Sequence, residues 1–236
     1  MTPIPEWKQY QEEVAAVFRS LGFTAQTDVT VEGPRTNHDI DVLVRTSVVG
    51  FDVVWAVECK KWKTPVSKVH VLALRQIVAE IGADRGILLC EVGFQSGAAE
   101  SAALTNVHLS TLSKVREQTR QEVEAVRVRD ALSRTTRARE RYWEIPKNVR
   151  IAFGLREEYA AWYSGFLVLQ FADQVLAKVL LEAYPVRDVL MPGPNGPSAP
   201  LLSSTGEVLA VLEPMLEELE QRLDSCWDAS DLWSVS

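Results

Sequence analysis

The chain has 236 residues, is 47% hydrophobic, and carries 25 Lys and Arg against 32 Asp and Glu, a formal net charge of −7. That length fits one large domain or two small ones, with apolar content enough for an ordinary core. No run approaches the ~18 apolar residues of a membrane span. Residues 1–8 lack the basic, apolar, small-residue layout of a signal peptide, so a cytoplasmic protein with no membrane partner is expected. Cys59, Cys90 and Cys226 are odd in number and lack metal-ligand spacing, which points to free thiols in a reducing compartment.

In chain order, residues 10–21 read as an amphipathic helix, with Val14, Val17, Phe18 and Leu21 at helical spacing and Gly22 as its stop. Residues 23–31 follow as a first strand, leading to a loop over 33–38 that carries Arg35 and His38. Residues 39–60 read as a β-hairpin: Ile40, Val42 and Val44 alternate with polar or mixed positions, residues 47–50 turn, and residues 52–60 resume with β-branched and aromatic types. A turn centred near Val49 and Gly50 puts Asp41 roughly opposite Glu58, and Glu58 shares a strand face with Lys60.

Asp41, Glu58 and Lys60 then converge if Asp41 faces the same way. Two carboxylates on rigid strands make a hard oxygen site for Mg²⁺, which takes a phosphate oxygen as a further ligand and acidifies a bound water. A nearby ammonium orients that water or neutralises phosphate charge, a task suited to lysine. The bland reading is a set of solvent-face charges on an edge hairpin. Glu-x-Lys is expected about once by chance in a chain of this length, and it recurs as Glu6-Trp7-Lys8.

After Lys60, Trp62 lies between Lys61 and Lys63. This is either a phosphate-contacting patch with a stacking aromatic or a solvated loop whose tryptophan covers the core. His38, just before Asp41, either contacts phosphate or makes an ordinary loop hydrogen bond. Ser67 is the expected N-cap of a helix that ends at Gly82, with Val69, Leu72, Leu74, Ile77 and Ile81 on its buried side. Residues 85–90 form a continuous apolar run of the kind a central strand needs. Residues 98–104 are a helix of small residues whose start either attracts phosphate or merely packs closely. Residues 107–112 are a last short strand.

Five blocks in this order, YQEEVAAVFRSLGF, RTNHDIDVLV, WAVECKKWKTPVSKVHVLAL, IGADRGILLCEVGFQSGAAESA and NVHLSTL, together resemble the Mrr-like branch of the PD-(D/E)xK restriction-endonuclease superfamily over residues 10–112. The resemblance implies a restriction-endonuclease-like α/β sandwich with a central mixed sheet. It also implies Asp41 and Glu58 as metal ligands, the Cys59 backbone carbonyl as a further ligand, and Lys60 as the catalytic lysine. Mg²⁺ is the implied cofactor, with Mn²⁺ as substitute. Many relatives carry a glutamate after the aromatic of the first helix, where this chain has Gln11 after Tyr10. Gln11 is therefore an accessory candidate able to act through water. Glu12 and Glu13 lie one and two positions along and face elsewhere, with Glu13 retained as a weaker accessory candidate. Relatives also use a polar residue on the second long helix, which makes Gln76 a candidate, and Arg35, Lys61 and Lys63 are candidate nucleic-acid contacts.

Charge is uneven along the chain. Residues 113–150 carry eleven Lys and Arg against six Asp and Glu, and residues 151–236 carry four against thirteen. Residues 113–150 read as a long basic helix. It is either an arm along a nucleic-acid backbone or a connecting helix whose arginines pair with its own glutamates and the acidic C-terminal part. Residues 160–184 form an apolar helical stretch wrapping more than one face, residues 192–200 an irregular Pro-Gly-rich loop, and residues 207–227 an acidic amphipathic helix with Val211, Leu212, Met215, Leu219 and Leu223 as its stripe. The expected domains are a nuclease domain over 1–112, the basic helix over 113–150 and an all-helical accessory domain over 151–236, which could mediate homodimerisation or bind a protein partner. The expected activity is that of a Mg²⁺-dependent deoxyribonuclease, type II restriction-endonuclease-like, in restriction or anti-phage defence. The alternative is a catalytically silent nuclease-fold adaptor or sensor that binds nucleic acid or a protein.

Overall fold

The structure is a computed structural model that describes residues 4–48, 50–156, 163–187 and 201–228. Val49 in the expected turn, the start of the expected helix at 160–162 and the loop at 192–200 lie outside the described residues. The chain divides into two compact units, Met1–Val123 and Glu124–Ser236.

In the first unit the element order is α1 (Glu6–Ser20), β1 (Thr24–Glu32), β2 (Asn37–Val48), β3 (Phe51–Cys59), α2 (Lys68–Ile81), β4 (Arg85–Leu89), α3 (Ser96–Ala102), β5 (Val107–Ser110) and α4 (Leu112–Gln118). One five-stranded sheet runs β1-β2-β3-β4-β5. β1, β2 and β3 pair antiparallel, while β3, β4 and β5 pair parallel, with α2 and α3 as the crossovers that parallel pairing demands. This mixed sheet with flanking helices is the restriction-endonuclease-like α/β fold.

Each face of the sheet has its own apolar layer. Tyr10, Val14 and Phe18 of α1 pack on Val42, Val44, Val57, Ile87 and Leu89. On the other face Val71, Leu74 and Val78 of α2 pack on Ile40, Leu43, Ala56 and Leu88. β4, covered on both faces, is buried from Gly86 to Leu89, which explains its unbroken apolar run. Gly86 is there because α2 comes close: a Cβ would lie 2.9 Å from Val78 Cγ2 and 3.1 Å from Leu74 Cγ.

Simple alternation fails at one place on the hairpin. Ile40 belongs to the layer under α2, yet Val42, two residues on, belongs to the layer under α1. β1 changes likewise between Ala25 and Val29. The register is kept on both sides, Thr27 opposite Val42 and Val29 opposite Ile40. The intervening Asp28 has φ 52°, a left-handed conformation that aspartate tolerates better than most residues. The hairpin therefore coils at Asp28 and Asp41.

α2 starts and stops where expected, at Ser67 and Gly82, and corrects the expected buried stripe. Ser67 sits at the N-cap position, but its side chain makes no capping bond. The buried stripe is Val71, Leu74 and Val78, while Val69 and Leu72 are exposed. Apolar residues nearly encircle this helix, and the sheet covers only one stripe of them. Gly82 ends α2 at φ 67°, donating its N–H to the Val78 carbonyl, as a left-handed C-cap requires.

The second unit is helical. It holds α5 (Arg120–Glu144, entering from the first unit), α6 (Lys147–Ala152), α7 (Gly165–Leu180) and α8 (Thr205–Asp228). A two-residue ladder of β6 (Val186–Arg187) with β7 (Leu201–Leu202) is added to the helices. The basic segment is not one helix, since Thr119 separates α4 from α5 and Pro146 precedes α6. α7 starts at Gly165, where Ser164 accepts the Leu167 N–H, and it ends at Leu180 rather than 184. Its Phe171, Val175 and Leu176 pack with Leu209, Leu212 and Leu216 of α8. The arginines of α5 adopt the pairing arrangement. Arg127 binds Glu213 bidentately at 2.9 and 2.6 Å, Arg134 binds Glu220 at 2.9 and 2.8 Å, and Arg139 and Arg141 reach Asp173 and Asp224 at 2.6 Å each. Cys59, Cys90 and Cys226 are free thiols. No helix among the described residues is long and apolar enough to cross a membrane.

Gly86→Ala should cost about 1–3 kcal/mol, because the added methyl overpacks the sheet–α2 layer. Its urea midpoint should fall with the slope unchanged, and combining it with Val78→Ala should recover part of the loss.

Candidate functional site

Two strand ends and one helix build the site. α1 carries glutamate in its first turn and arginine in its last, which favours the helix dipole. Its buried stripe is apolar except for Gln11, which is 5% exposed. A polar residue on such a stripe needs a partner. Gln11 Nε2 donates to Asp41 Oδ1 at 2.8 Å, while Gln11 Oε1 is buried with no hydrogen-bond partner among the described residues.

Asp41 lies where the hairpin coils, one position beyond the Val42–Val57 pair. Its Oδ2 accepts the Cys59 backbone N–H at 2.7 Å, so one donor comes from α1 and the other from β3. Burial, then the nearby Glu58 charge, pushes the Asp41 carboxyl above the ordinary aspartate value, only partly offset by the Cys59 N–H, Lys60 and Gln11. Glu58 is ion-paired with Lys60 two residues on, the same-face pair that a strand produces. The structure thus brings Asp41, Glu58, Cys59, Lys60 and Gln11 together. The Cys59 thiol is pushed up by burial and by the Asp41 and Glu58 charges, so it remains a protonated thiol rather than a nucleophile.

The remaining candidates are placed elsewhere. Glu13 is exposed and pairs with Arg116 at 3.3 Å. His38 Nε2 is 2.7 Å from Glu80 Oε2, and Gln76 Nε2 donates to Glu80 Oε1 at 2.7 Å. The Gln76 and His38 contacts hold the Glu80 carboxyl below its ordinary value, and Arg35 adds a weaker pull. Arg35, His38 and Gln76 thus gather around Glu80, and no hydrogen bond among the described residues links that cluster to Asp41, Glu58 or Lys60. Lys61 Nζ lies 5.0 Å from the Tyr10 ring centroid, and Lys63 is exposed. Lys60 Nζ is 5.2 Å from the Trp62 ring centroid, and Trp62 meets His70 edge-to-face at 4.7 Å.

Glu91 was not singled out from the sequence. Just past β4, its Oε1 accepts the Tyr10 hydroxyl at 2.9 Å and the Leu112 N–H at 2.7 Å, and its Oε2 accepts from Ser113 at 3.1 Å. Burial raises its carboxyl, but those three donors and Lys61 outweigh it, so the net shift is downward. Burial followed by Glu91 raises the Tyr10 hydroxyl, which stays protonated to donate. Glu91 therefore fixes the α1 turn that carries Gln11. A carboxylate directly after a buried apolar run was its only signal.

The donors at the site are hard: the Asp41 and Glu58 carboxylates and the unpartnered Gln11 amide oxygen. Such a set suits Mg²⁺ or Mn²⁺ better than a thiophilic metal. No group of three or more His, Cys, Asp and Glu side chains among the described residues is arranged as a metal cage, so a cation here would draw on amide or backbone oxygens as well.

Residues 5–119 match the family described as a restriction endonuclease, Mrr_cat. An uncharacterized protein, y4cE, of Sinorhizobium fredii is 32% identical over 105 residues, covering 44% of this chain and 26% of that protein. The chain thus spans about a quarter of the length of this curated relative. Two solved structures are similar. One is a protein of unknown function, AF1548, at 18% identity and TM-score 0.41, covering 75% of this chain and 99% of that one. The other is the DNA modification-dependent restriction endonuclease AspBHI, at 15% identity and TM-score 0.31, covering 52% and 39%.

Glu91→Gln should destabilise the protein by about 1 kcal/mol at pH 7, a figure already discounted for solvent screening of this exposed carboxylate. A depressed carboxyl contributes stability above the ordinary glutamate pKa, and that stability is lost as pH falls through the folded value. The gap between wild-type and variant melting temperatures should therefore be full at neutral pH and should close towards acid.

Proposed function

We propose, from the match of residues 5–119 to the restriction-endonuclease family, that the chain is a metal-dependent endonuclease that hydrolyses phosphodiester bonds in DNA, serving restriction of foreign DNA. The observation that carries this reading is Asp41, a largely desolvated carboxylate held by Gln11 and the Cys59 N–H beside Glu58. Two carboxylates kept close together in a partly buried place cost stability, and a divalent cation between them is the natural way to relieve that cost.

Asp41 and Glu58 would hold the cation, with the Gln11 amide oxygen and the Cys59 carbonyl as additional oxygens. When bound, Mg²⁺ supplies charge stabilisation at the phosphate and acidifies water. The chain's own groups do the rest. Gln11 and the Cys59 N–H fix the rotation of the Asp41 carboxylate, so no reorganisation is needed when substrate arrives. Lys60, neutralised by Glu58 in the free protein, turns its ammonium to the incoming phosphodiester. There it orients the water that attacks phosphorus as the P–O bond to the leaving oxygen breaks. Lys61 and Lys63 contact neighbouring phosphates. A homodimer or protein partner acting through the second unit, and a cytoplasmic setting, complete the proposal.

The test is cleavage of linear, supercoiled, single-stranded and methylated DNA, with RNA as comparison, in Mg²⁺ or Mn²⁺ and in EDTA. Wild type should cut DNA only with metal, and Lys60→Ala should lose roughly 10²–10⁴-fold in rate. No cutting of any substrate by folded wild-type protein would sink the reading in favour of a silent adaptor.

Metal binding has its own readout. Mn²⁺ should raise the melting temperature of wild type, because a ligand bound only to the native state stabilises it. Asp41→Asn should abolish that rise while remaining folded. The Gln11 amide can flip to accept from the new Asn Nδ2 and leave Oδ1 for the Cys59 N–H.

A further inference from the structure

Trp62 is packed differently from Trp55 in the same unit. Trp55 is packed edge-on by Phe18 and Phe23 in the layer under α1. Trp62 joins neither apolar layer of that unit and is 40% exposed. Packing does not explain a tryptophan there, since an indole left open to water forfeits the burial that makes this residue useful in a core.

Its placement is nonetheless fixed. Residues 61–65 are all exposed, but both ends of the segment are pinned. Lys60 N–H donates to the Leu89 carbonyl at 2.8 Å. Val66 N–H donates to the Gly93 carbonyl at 3.0 Å, and the Val66 carbonyl accepts from Gln95 at 3.0 Å. His70 braces the indole edge-to-face at 4.7 Å. The ammonium of Lys60 lies over the ring, 5.2 Å from its centroid, a place it would leave on turning to the phosphodiester, and Lys61 and Lys63 flank Trp62 in the chain. The result is an anchored aromatic surface against the ammonium assigned to the scissile phosphate.

Resting on the nuclease reading above, we propose that Trp62 is a stacking platform for an unpaired base next to the scissile phosphate, so that the DNA this site cuts is single-stranded there. Base–aromatic stacking is worth about 1–3 kcal/mol per base and is indifferent to sequence. Within a duplex each base has its faces covered by its neighbours, and grooves expose only edges. A platform this close to the reacting phosphate can therefore be used only by a base that is out of the stack. The lysines around it hold the backbone of that same strand.

Two measurements decide it. In EDTA, fluorescence anisotropy is followed with a labelled oligo(dT) and with a hairpin duplex, across a salt series. Trp62→Ala should weaken oligo(dT) binding roughly 5–150-fold, the fold-change that about 1–3 kcal/mol of stacking implies. Its salt slope should match wild type, since no ion is released by the lost contact. Trp62→Phe should retain most of the affinity, whereas Lys61→Ala with Lys63→Ala should flatten the salt slope. In Mn²⁺, the ratio of single-strand to duplex cleavage should fall by the same order in Trp62→Ala. Equal loss on both substrates, or no loss on either, by a variant with the wild-type unfolding midpoint would overturn the inference and leave the nuclease reading standing. Absence of cleavage together with Trp62-dependent oligo(dT) binding would do the reverse, removing the nuclease reading and keeping the platform.

Discussion

The N-terminal unit depends on how a carboxylate is held at the coil of a hairpin. Asp41 is removed from much of its solvent, and a charge in that position without donors would cost several kcal/mol. The two donors it has come from different elements, Gln11 on α1 and the Cys59 N–H at the end of β3. The position of Asp41 therefore fixes where α1 docks and how far β3 extends. The coil at Asp28 and Asp41 is what brings the carboxylate to both donors at once, because an uncoiled hairpin would leave Asp41 on the face under α2 with Leu43. Even so, its carboxyl is raised rather than lowered. The fold tolerates an unfavourable group at this point, as functional sites commonly do.

The sheet topology puts the rest of the site within reach. Its antiparallel half supplies Asp41 and Glu58, and its parallel half supplies a second strand end beside the first. β3 and β4 run in the same direction, so their C-terminal ends lie together, joined by the Lys60 N–H to Leu89 carbonyl bond. Lys60 leaves one strand and Glu91 leaves the other. Glu91 then ties Tyr10 and the start of α4 to that edge. Tyr10 directly precedes Gln11, so the carboxylate that anchors α1 also sets the height at which Gln11 meets Asp41. Both carboxylates serve one helix, and they titrate in opposite directions. Glu91 has three donors and solvent, while Asp41 has two donors, burial and Glu58.

Much of this was legible in residue order because local rules and tertiary demands agree. The hairpin showed in its apolar spacing, although Ile40 faces the layer under α2 while Val42 and Val44 face the layer under α1. The central strand showed in the apolar run at 85–90, and α1 in its stripe. The reading failed where a contact spans distant residues or where a helix is apolar on too many sides. On α2, Val69 and Leu72 look as suitable for the core as Val71 and Val78, and only the sheet decides which stripe is covered. His38 makes the ordinary hydrogen bond that was one of its two readings, but its partner Glu80, which Gln76 also binds, is one that sequence spacing does not announce. Glu91 went unremarked because its significance lies in Tyr10, 81 residues away. The arginines of residues 113–150 were readable either as an arm or as pairing partners. The seven-residue steps from Arg127 to Arg134 to Arg141, matched by Glu213 and Glu220, settle on pairing in the folded unit.

That pairing bears on how a chain of net charge −7 meets a polyanion. Arg127, Arg134, Arg139 and Arg141 are held by carboxylates of α7 and α8, so their field is largely cancelled at the distance of an approaching phosphate. In the first unit Lys61 and Lys63 lie beside Lys60, and each phosphate neutralised by such a group contributes about 0.7–0.9 to the salt exponent. Two or three such contacts give weak, salt-sensitive attraction, well short of the six to ten phosphate contacts of a typical duplex binder. If the proposed DNA substrate is bound, affinity would then come from something less sensitive to ions. Stacking meets that condition, because a base on an aromatic face gains the same energy at any ionic strength and needs no positive surface around it. On the proposed reading, an acidic chain with an exposed indole beside Lys60 is physically consistent: few cations would orient the backbone, and the ring would hold the strand in place.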